Sequence, residues 1–287
     1  MSRILIAGCG DVGSLLGVAL AREGHQVWGL RRRADRLPRE LRPIAADLGS
    51  PDHLVALPPD LDAVIYAAAA DRFDDASYES AYVDGPRNLL LALRRSGSGP
   101  GRFVFTSSTA VSGEANGAWV DEDSPTDPRG FSGSRLLEGE RTVLSSGTRG
   151  VVLRLGGIYG PGRTRLVDDV RSGRARLPID GPNYTNRIHL EDCAGALRHL
   201  LLLESPAAIW LGVDHDPADR GEVLVWMADR LGVPRPAVDD APAERKRVGS
   251  KRCRNDRLVR SGYEFRYPTF REGYASLLSP LRPAGCA

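Results

Sequence analysis

Along the first 155 residues, short apolar runs rich in branched side chains alternate with longer stretches whose apolar positions recur every three or four residues. The runs at 3–7, 26–30, 63–67, 102–106 and 151–155 predict strands, and the stretches at 12–22, 78–95 and 132–144 predict helices. In the second helix Leu89, Leu90, Ala92 and Leu93 form one apolar stripe suited to lie on a sheet. Strands apolar at nearly every position need cover on both faces. The pattern therefore predicts an α/β fold with parallel strands joined by right-handed helical crossovers. After Gly160 the rhythm breaks, with Pro161, Gly162, Gly173, Pro178, Gly181 and Pro182 marking loops and helices predicted at 191–204, 221–231, 256–261 and 270–278. We expect residues 1–160 to form the main domain, and residues 161–287 a smaller region whose helices return to its sheet.

Composition narrows the class. A chain of 287 residues, 41% apolar and 26% charged, is ordinary globular material, which excludes wholesale disorder. Its longest apolar run, at 63–70, is far below the roughly 20 residues of a membrane span, and the N-terminus lacks a secretory pattern. A cytoplasmic location with no membrane partner is the expectation. The net charge of +2 gives no reason to expect nucleic acid. Among the basic residues only Lys246 and Lys251 are lysine, a bias of composition, and the basic stretch at 244–257 reads as solvated surface. Cys9, Cys193, Cys253 and Cys286 are scattered and lack metal-ligand spacing, so free thiols are expected, with no metal site.

The first chemistry appears at Gly8-Cys9-Gly10-Asp11-Val12-Gly13, directly after a predicted strand and at the start of a predicted helix. In that context a GxGxxG sequence points to dinucleotide binding: Gly8 allows the tight turn, Gly10 lets backbone approach a pyrophosphate, and Gly13 lets helix and strand pack closely. The amides at the start of the helix, Asp11 and Val12 included, face the phosphates. The fold class sharpens to a Rossmann-type doubly wound sheet. The second strand ends in Arg31-Arg32-Arg33, where an acid would bind the ribose of NAD and a guanidinium the 2′-phosphate of NADP. Arg31 and Arg32 therefore predict NADP(H), with NAD(H) bound more weakly. Asp47, with Leu48 beside it, falls where it meets the adenine edge.

The chain resembles the extended short-chain dehydrogenase/reductases over nearly its whole length. The likeness is carried by the glycine motif, Ala46-Asp47-Leu48, the runs at 64–69 and 103–108, Arg154 to Gly162, and Asn186 to Asp192. It implies that Ala67, Ala68 and Ala69 pass the cofactor ribose, that Gly157 and Ile158 lie beside the nicotinamide, and that Ser108 holds the catalytic serine position. The family's YxxxK signature is altered. Phe131 stands at the tyrosine position and Arg135 at the lysine position. Phenylalanine has no proton to give; arginine stays charged but can hold ribose hydroxyls. Tyr82 falls where an asparagine usually completes the proton relay.

Carbonyl polarisation then passes to Ser107, Ser108 or Thr109, to a phenol on the substrate itself, or to a relocated tyrosine: Tyr82, Tyr159 or Tyr184. Among members without the tyrosine, the chain is similar to ketoreductases that tailor aromatic polyketides, of the angucyclinone type in the simocyclinone pathway. That likeness implies NADPH-dependent reduction of a polycyclic aromatic ketone in antibiotic biosynthesis. A cofactor-binding sensor and a nucleotide-sugar epimerase are the alternatives. The substrate walls are expected from Phe131, Trp119, Tyr159, Tyr184, Asn186 and His189, although His189, at the start of a predicted helix, suits a structural hydrogen bond. The resemblance also implies a homodimer through the helices at 78–95 and 132–144.

Overall fold

The computed structural model describes residues 1–97, 99–178, 181–238 and 249–278. Cys286, Lys246 and residues 244–248 of the basic stretch lie outside them. The central sheet has seven parallel strands in the order β10-β7-β5-β4-β1-β2-β3. These are β1 (Arg3–Ala7), β2 (Gln26–Arg31), β3 (Arg42–Ala45), β4 (Ala63–Tyr66), β5 (Arg102–Ser108), β7 (Gly150–Leu155) and β10 (Ile209–Gly212). The strand order reverses between β1 and β4. At such a point the neighbouring crossovers leave on opposite faces and open a crevice at the carboxyl ends of the strands.

Helices cover both faces. On one, α1 (Asp11–Arg22) packs beside α6 (Leu190–Leu202), burying Leu16, Leu20, Leu197 and Leu200 against Ile4, Ile6 and Val104. On the other, α3 (Gly85–Arg95) and α4 (Phe131–Leu144) bury Leu89, Leu93 and Val143 against Leu5, Val64, Phe103 and Phe105. A third core joins α5 (Arg165–Arg171), α7 (Arg220–Leu231) and α9 (Phe270–Leu278) around Met227, Val223 and Phe270. Two short parallel pairs complete the fold: β6 (Ala118–Val120) with β11 (Lys251–Cys253), and β8 (Gly157–Tyr159) with β9 (Arg187–His189). The helix α8 (Asp256–Arg260) packs beside β10. The chain beyond 160 thus gives the main sheet one edge strand, β10, and one covering helix, α6.

The helix expected at 78–95 is interrupted. It begins earlier, as α2 (Asp75–Glu79), capped by the Asp74 carboxylate accepting from the Ser77 amide at 2.8 Å. A widened π turn, Ser80–Asp84, then leads into α3. Pro86 explains the break: it has no N–H for the Tyr82 carbonyl one turn back, so the ladder loosens there. The consequence is local. The turn sets α2 at the rim of the crevice.

Candidate active site

A cleft of about 1120 Å³ runs along the carboxyl ends of the strands. Its floor begins at Gly8, where φ is +101° and an added β-carbon would meet the Ala68 backbone nitrogen at 2.2 Å. Only glycine fits there. At Gly10, by contrast, an added β-carbon would meet nothing within 4 Å, so the backbone is bare toward the cleft. Gly10 caps α1 with no side-chain hydrogen bond, which leaves the first-turn amides of Asp11 and Val12 to a ligand. Gly13 is buried in the close packing of helix on strand, not on the cleft wall. The uncapped helix, the bare Gly10 and the volume of the cleft fit a dinucleotide.

On the β2 side, Arg31, Arg32, Arg33, Asp47 and Leu48 line the cleft. Arg32 is already engaged. It makes a bidentate pair with Asp71, at 2.8 and 2.6 Å, and the guanidinium holds that carboxyl below its ordinary range. Asp47 accepts from the Gly49 amide at 3.0 Å and sits two residues beyond β3. Across the centre, Arg163 donates to Asp11 at 2.9 Å, linking the turn after β8 to the start of α1. Ala67, Ala68 and Ala69 line the middle of the cleft, and Leu155, Gly156 and Ile158 its far wall. Gly156, not Gly157, faces the cleft there; the Gly157 amide is bound to the Asn186 carbonyl.

The sequence model of the NAD dependent epimerase/dehydratase family matches residues 4–209. The chain belongs to this family. It is 31% identical over 306 residues to a 3-diazoavenalumate denitrifying reductase from Streptomyces, covering 94% of this chain and 98% of that protein. It is 27% identical over 266 residues to a 2-alkyl-3-oxoalkanoate reductase from Stenotrophomonas maltophilia, covering 84% and 78%. A solved NAD-dependent epimerase/dehydratase from Methylobacillus flagellatus superposes with a TM-score of 0.79 at 35% identity, over 96% of this chain and 97% of that one.

Against the family pattern, the three hydroxyls around the end of β5, Ser107, Ser108 and Thr109, differ in what they can do. Ser107 donates to the Glu140 carboxylate at 2.5 Å, and Glu140 is held in turn by Arg154 at 2.8 Å, all three buried. That proton is committed. Thr109 is buried and does not line the cleft. Ser108 lines the cleft, and its oxygen accepts from the Ala110 amide at 3.2 Å, which leaves its hydroxyl hydrogen for another acceptor.

Arg135 does not line the cleft. Its guanidinium is bound to Asp75 at 2.8 and 3.1 Å, with Glu79 and Glu138 at 3.4 and 3.2 Å, so it is taken up by carboxylates of α2 and of its own helix. Phe131 stacks behind the wall, its ring 5.1 Å from Phe73 and 5.4 Å from Tyr78.

The expected substrate walls correct further. Trp119 is 48% exposed on β6, with Arg252 and Arg254 over its ring, and Arg252 also covers Tyr184. Asn186 ties down β11 through the Lys251 carbonyl and the Cys253 amide. Tyr159 and His189 are register partners on β8 and β9, turned into the third core against Tyr274 and Tyr267. His189 caps α6 through Nδ1, and burial lowers its pKa. None of the five lines the cleft. Phe73, Tyr78, Tyr82, Ala110, Ser132 and Leu136 line it instead. Phe73 and Tyr78 escaped notice because the chain before 78 carries no helical stripe. Cys9, Cys193 and Cys253 are buried free thiols, each pushed up to about 12 by burial.

Proposed function

We propose that this protein is an NADPH-dependent reductase of a polycyclic aromatic ketone, of the kind that tailors aromatic polyketides. The observation that carries the reading is the division of the cleft. Its charged groups, Asp11, Arg31, Arg32, Arg33, Asp47, Asp71 and Arg163, gather near the glycine turn and β2 or pair with residues there. The opposite end is walled by Phe73, Tyr78, Tyr82, Ala110 and Leu136, with hydroxyls as its polar groups. Aromatic walls suit a flat aromatic substrate, and hydroxyls suit a carbonyl that must be polarised without a charged base.

Bound there, NADPH supplies the hydride. The first-turn amides of α1 hold its diphosphate, with Arg163 beside them, and Arg31 grips the 2′-phosphate. Arg32 joins Arg31 once it leaves Asp71. Ser108 donates a hydrogen bond to the substrate oxygen. The reductase names of two relatives and the family's nicotinamide chemistry favour the same reading, and α3 and α4 are the faces through which we propose that two copies pair.

Incubation with NADPH and a set of polycyclic aromatic ketones tests it. Cofactor oxidation matched by formation of the alcohol is expected. Conversion of nucleotide sugars instead, or tight cofactor binding with no ketone reduced, would refute it.

A further inference from the structure

We propose that Tyr78 is the proton donor of this reduction, carried on α2 in place of the residue that α4 lacks. The inference rests on the ketone-reductase reading above and adds the source of its proton.

Three observations converge. First, the two positions of α4 where the likeness places tyrosine and lysine are both turned toward α2. Phe131 meets Tyr78 edge-on at 90° and also packs on Phe73, while Arg135 clamps Asp75 and Glu79. Both replacements therefore dock the element that bears Tyr78. Second, α2 is fixed at its other end as well, by the Asp74 cap before it and the π turn after it. A five-residue helix alone would fray; clamped in this way it can hold one side chain at a defined place. Third, Tyr78 lines the cleft along with Ser108, Ala110, Ser132 and Leu136, at the end where the carbonyl is expected.

The other phenols are less suited. Tyr82 also lines the cleft, 5.1 Å from Tyr78 between ring centres, but it sits further along, on the π turn, and it is the Tyr78 ring that meets Phe131 at the position of the lost tyrosine. Tyr159 and Tyr184 are outside the cleft. Tyr78, half-buried like Tyr82, stays within reach of solvent for the return proton.

The step balances simply. The carbonyl carbon receives hydride from the reduced nicotinamide, and the C=O π pair passes to oxygen. Oxygen takes the phenolic proton as the Tyr78 O–H bond breaks, and the phenolate regains a proton from water.

Y78F keeps the ring that packs on Phe131 and removes only the hydroxyl, so the NADPH dissociation constant should hold. With a ketone that the wild type reduces, kcat should fall by about 10²- to 10⁴-fold. A fall of kcat/KM at high pH, where a donor phenol loses its proton, is expected of the wild type and should be absent from Y78F. In the complex with NADP+, which cannot reduce the ketone, Y78F should bind that ketone about 2- to 10-fold more weakly, the loss of one hydrogen bond. A wild-type kcat in Y78F, or a comparable loss confined to Y82F, would overturn the assignment while leaving the reductase reading in place. Failure of the wild-type enzyme to reduce any ketone would remove both.

Discussion

Gly8 and Gly10 differ in what surrounds them: a β-carbon would strike backbone at the first and open space at the second. Gly8→Ala should therefore cost the fold about 1–3 kcal/mol or more, since it meets both a positive φ and a clash. Gly10→Ala should leave the thermal midpoint where it is and weaken NADPH binding at least tenfold, because its methyl occupies the diphosphate approach. Circular dichroism melts beside calorimetric titrations separate the two; equal effects at both positions would contradict the division. Asp71 makes a second prediction at this scale. It competes with the 2′-phosphate for Arg32, so Asp71→Ala should tighten NADPH several-fold and leave NADH unchanged, as read from the two dissociation constants. That competitor was not legible in the sequence, because Asp71 lies 39 residues from Arg32 and only the turn after β4 brings them together.

At the scale of elements, one buried contact joins the floor of the site to the helix behind it. Glu140 of α4 pairs with Arg154 of β7 and accepts from Ser107 of β5, with Arg154 and Glu140 side chains only 5% and 2% exposed. Removing one partner strands a buried charge, so Glu140→Ala should lose about 3–5 kcal/mol in urea unfolding. A loss below about 1 kcal/mol would mean that water reaches the pair. Five strands of the main sheet, β1, β2, β4, β5 and β7, could be read from the chain because buried parallel strands and their covering helices have strong periodicity, as at Ile4–Ile6 and Leu89–Leu93. The edge strand β10 and the strands β6, β8, β9 and β11 were not read, since three or four residues carry no period. The helix at 78–95 was read as one piece because its apolar stripe runs through the π turn, although Pro86 marked the break. The glycine turn and the alanines after β4 announced the half of the cleft proposed for the cofactor. The half proposed for the substrate did not announce itself, because Phe73 and Tyr78 are gathered there by contacts with Phe131 of α4, far away in the chain.

For the whole molecule, residues beyond 150 close the fold around a buried polar cluster. Tyr159 Oη, His189 Nε2 and Asp214 Oδ2 are buried there, and no hydrogen-bond partner is present for any of them among the described residues. Burial pushes the Asp214 carboxyl up to about 8, against the opposing pull of Arg187. An unfolded aspartate releases its proton near pH 3.9, so between there and about 8 the folded chain binds the extra proton. Stability should therefore fall as pH rises through that window. Asp214→Asn copies the neutral form, and its thermal midpoint should decline less than the wild type's between pH 5 and 8; parallel declines would contradict the assignment. No helix among the described residues is long and apolar enough to cross a membrane. Everything proposed for the cleft depends on a phosphorylated dinucleotide seated over the bare amides at Gly10, with its 2′-phosphate at Arg31. Calorimetric titration of the wild type, Gly10→Ala and Arg31→Ala with NADPH and NADH tests that directly. One site per chain is expected, tighter for NADPH, weakened for both cofactors by Gly10→Ala and for NADPH alone by Arg31→Ala. No heat of binding, or equal affinity for the two cofactors that Arg31→Ala leaves unchanged, would contradict it.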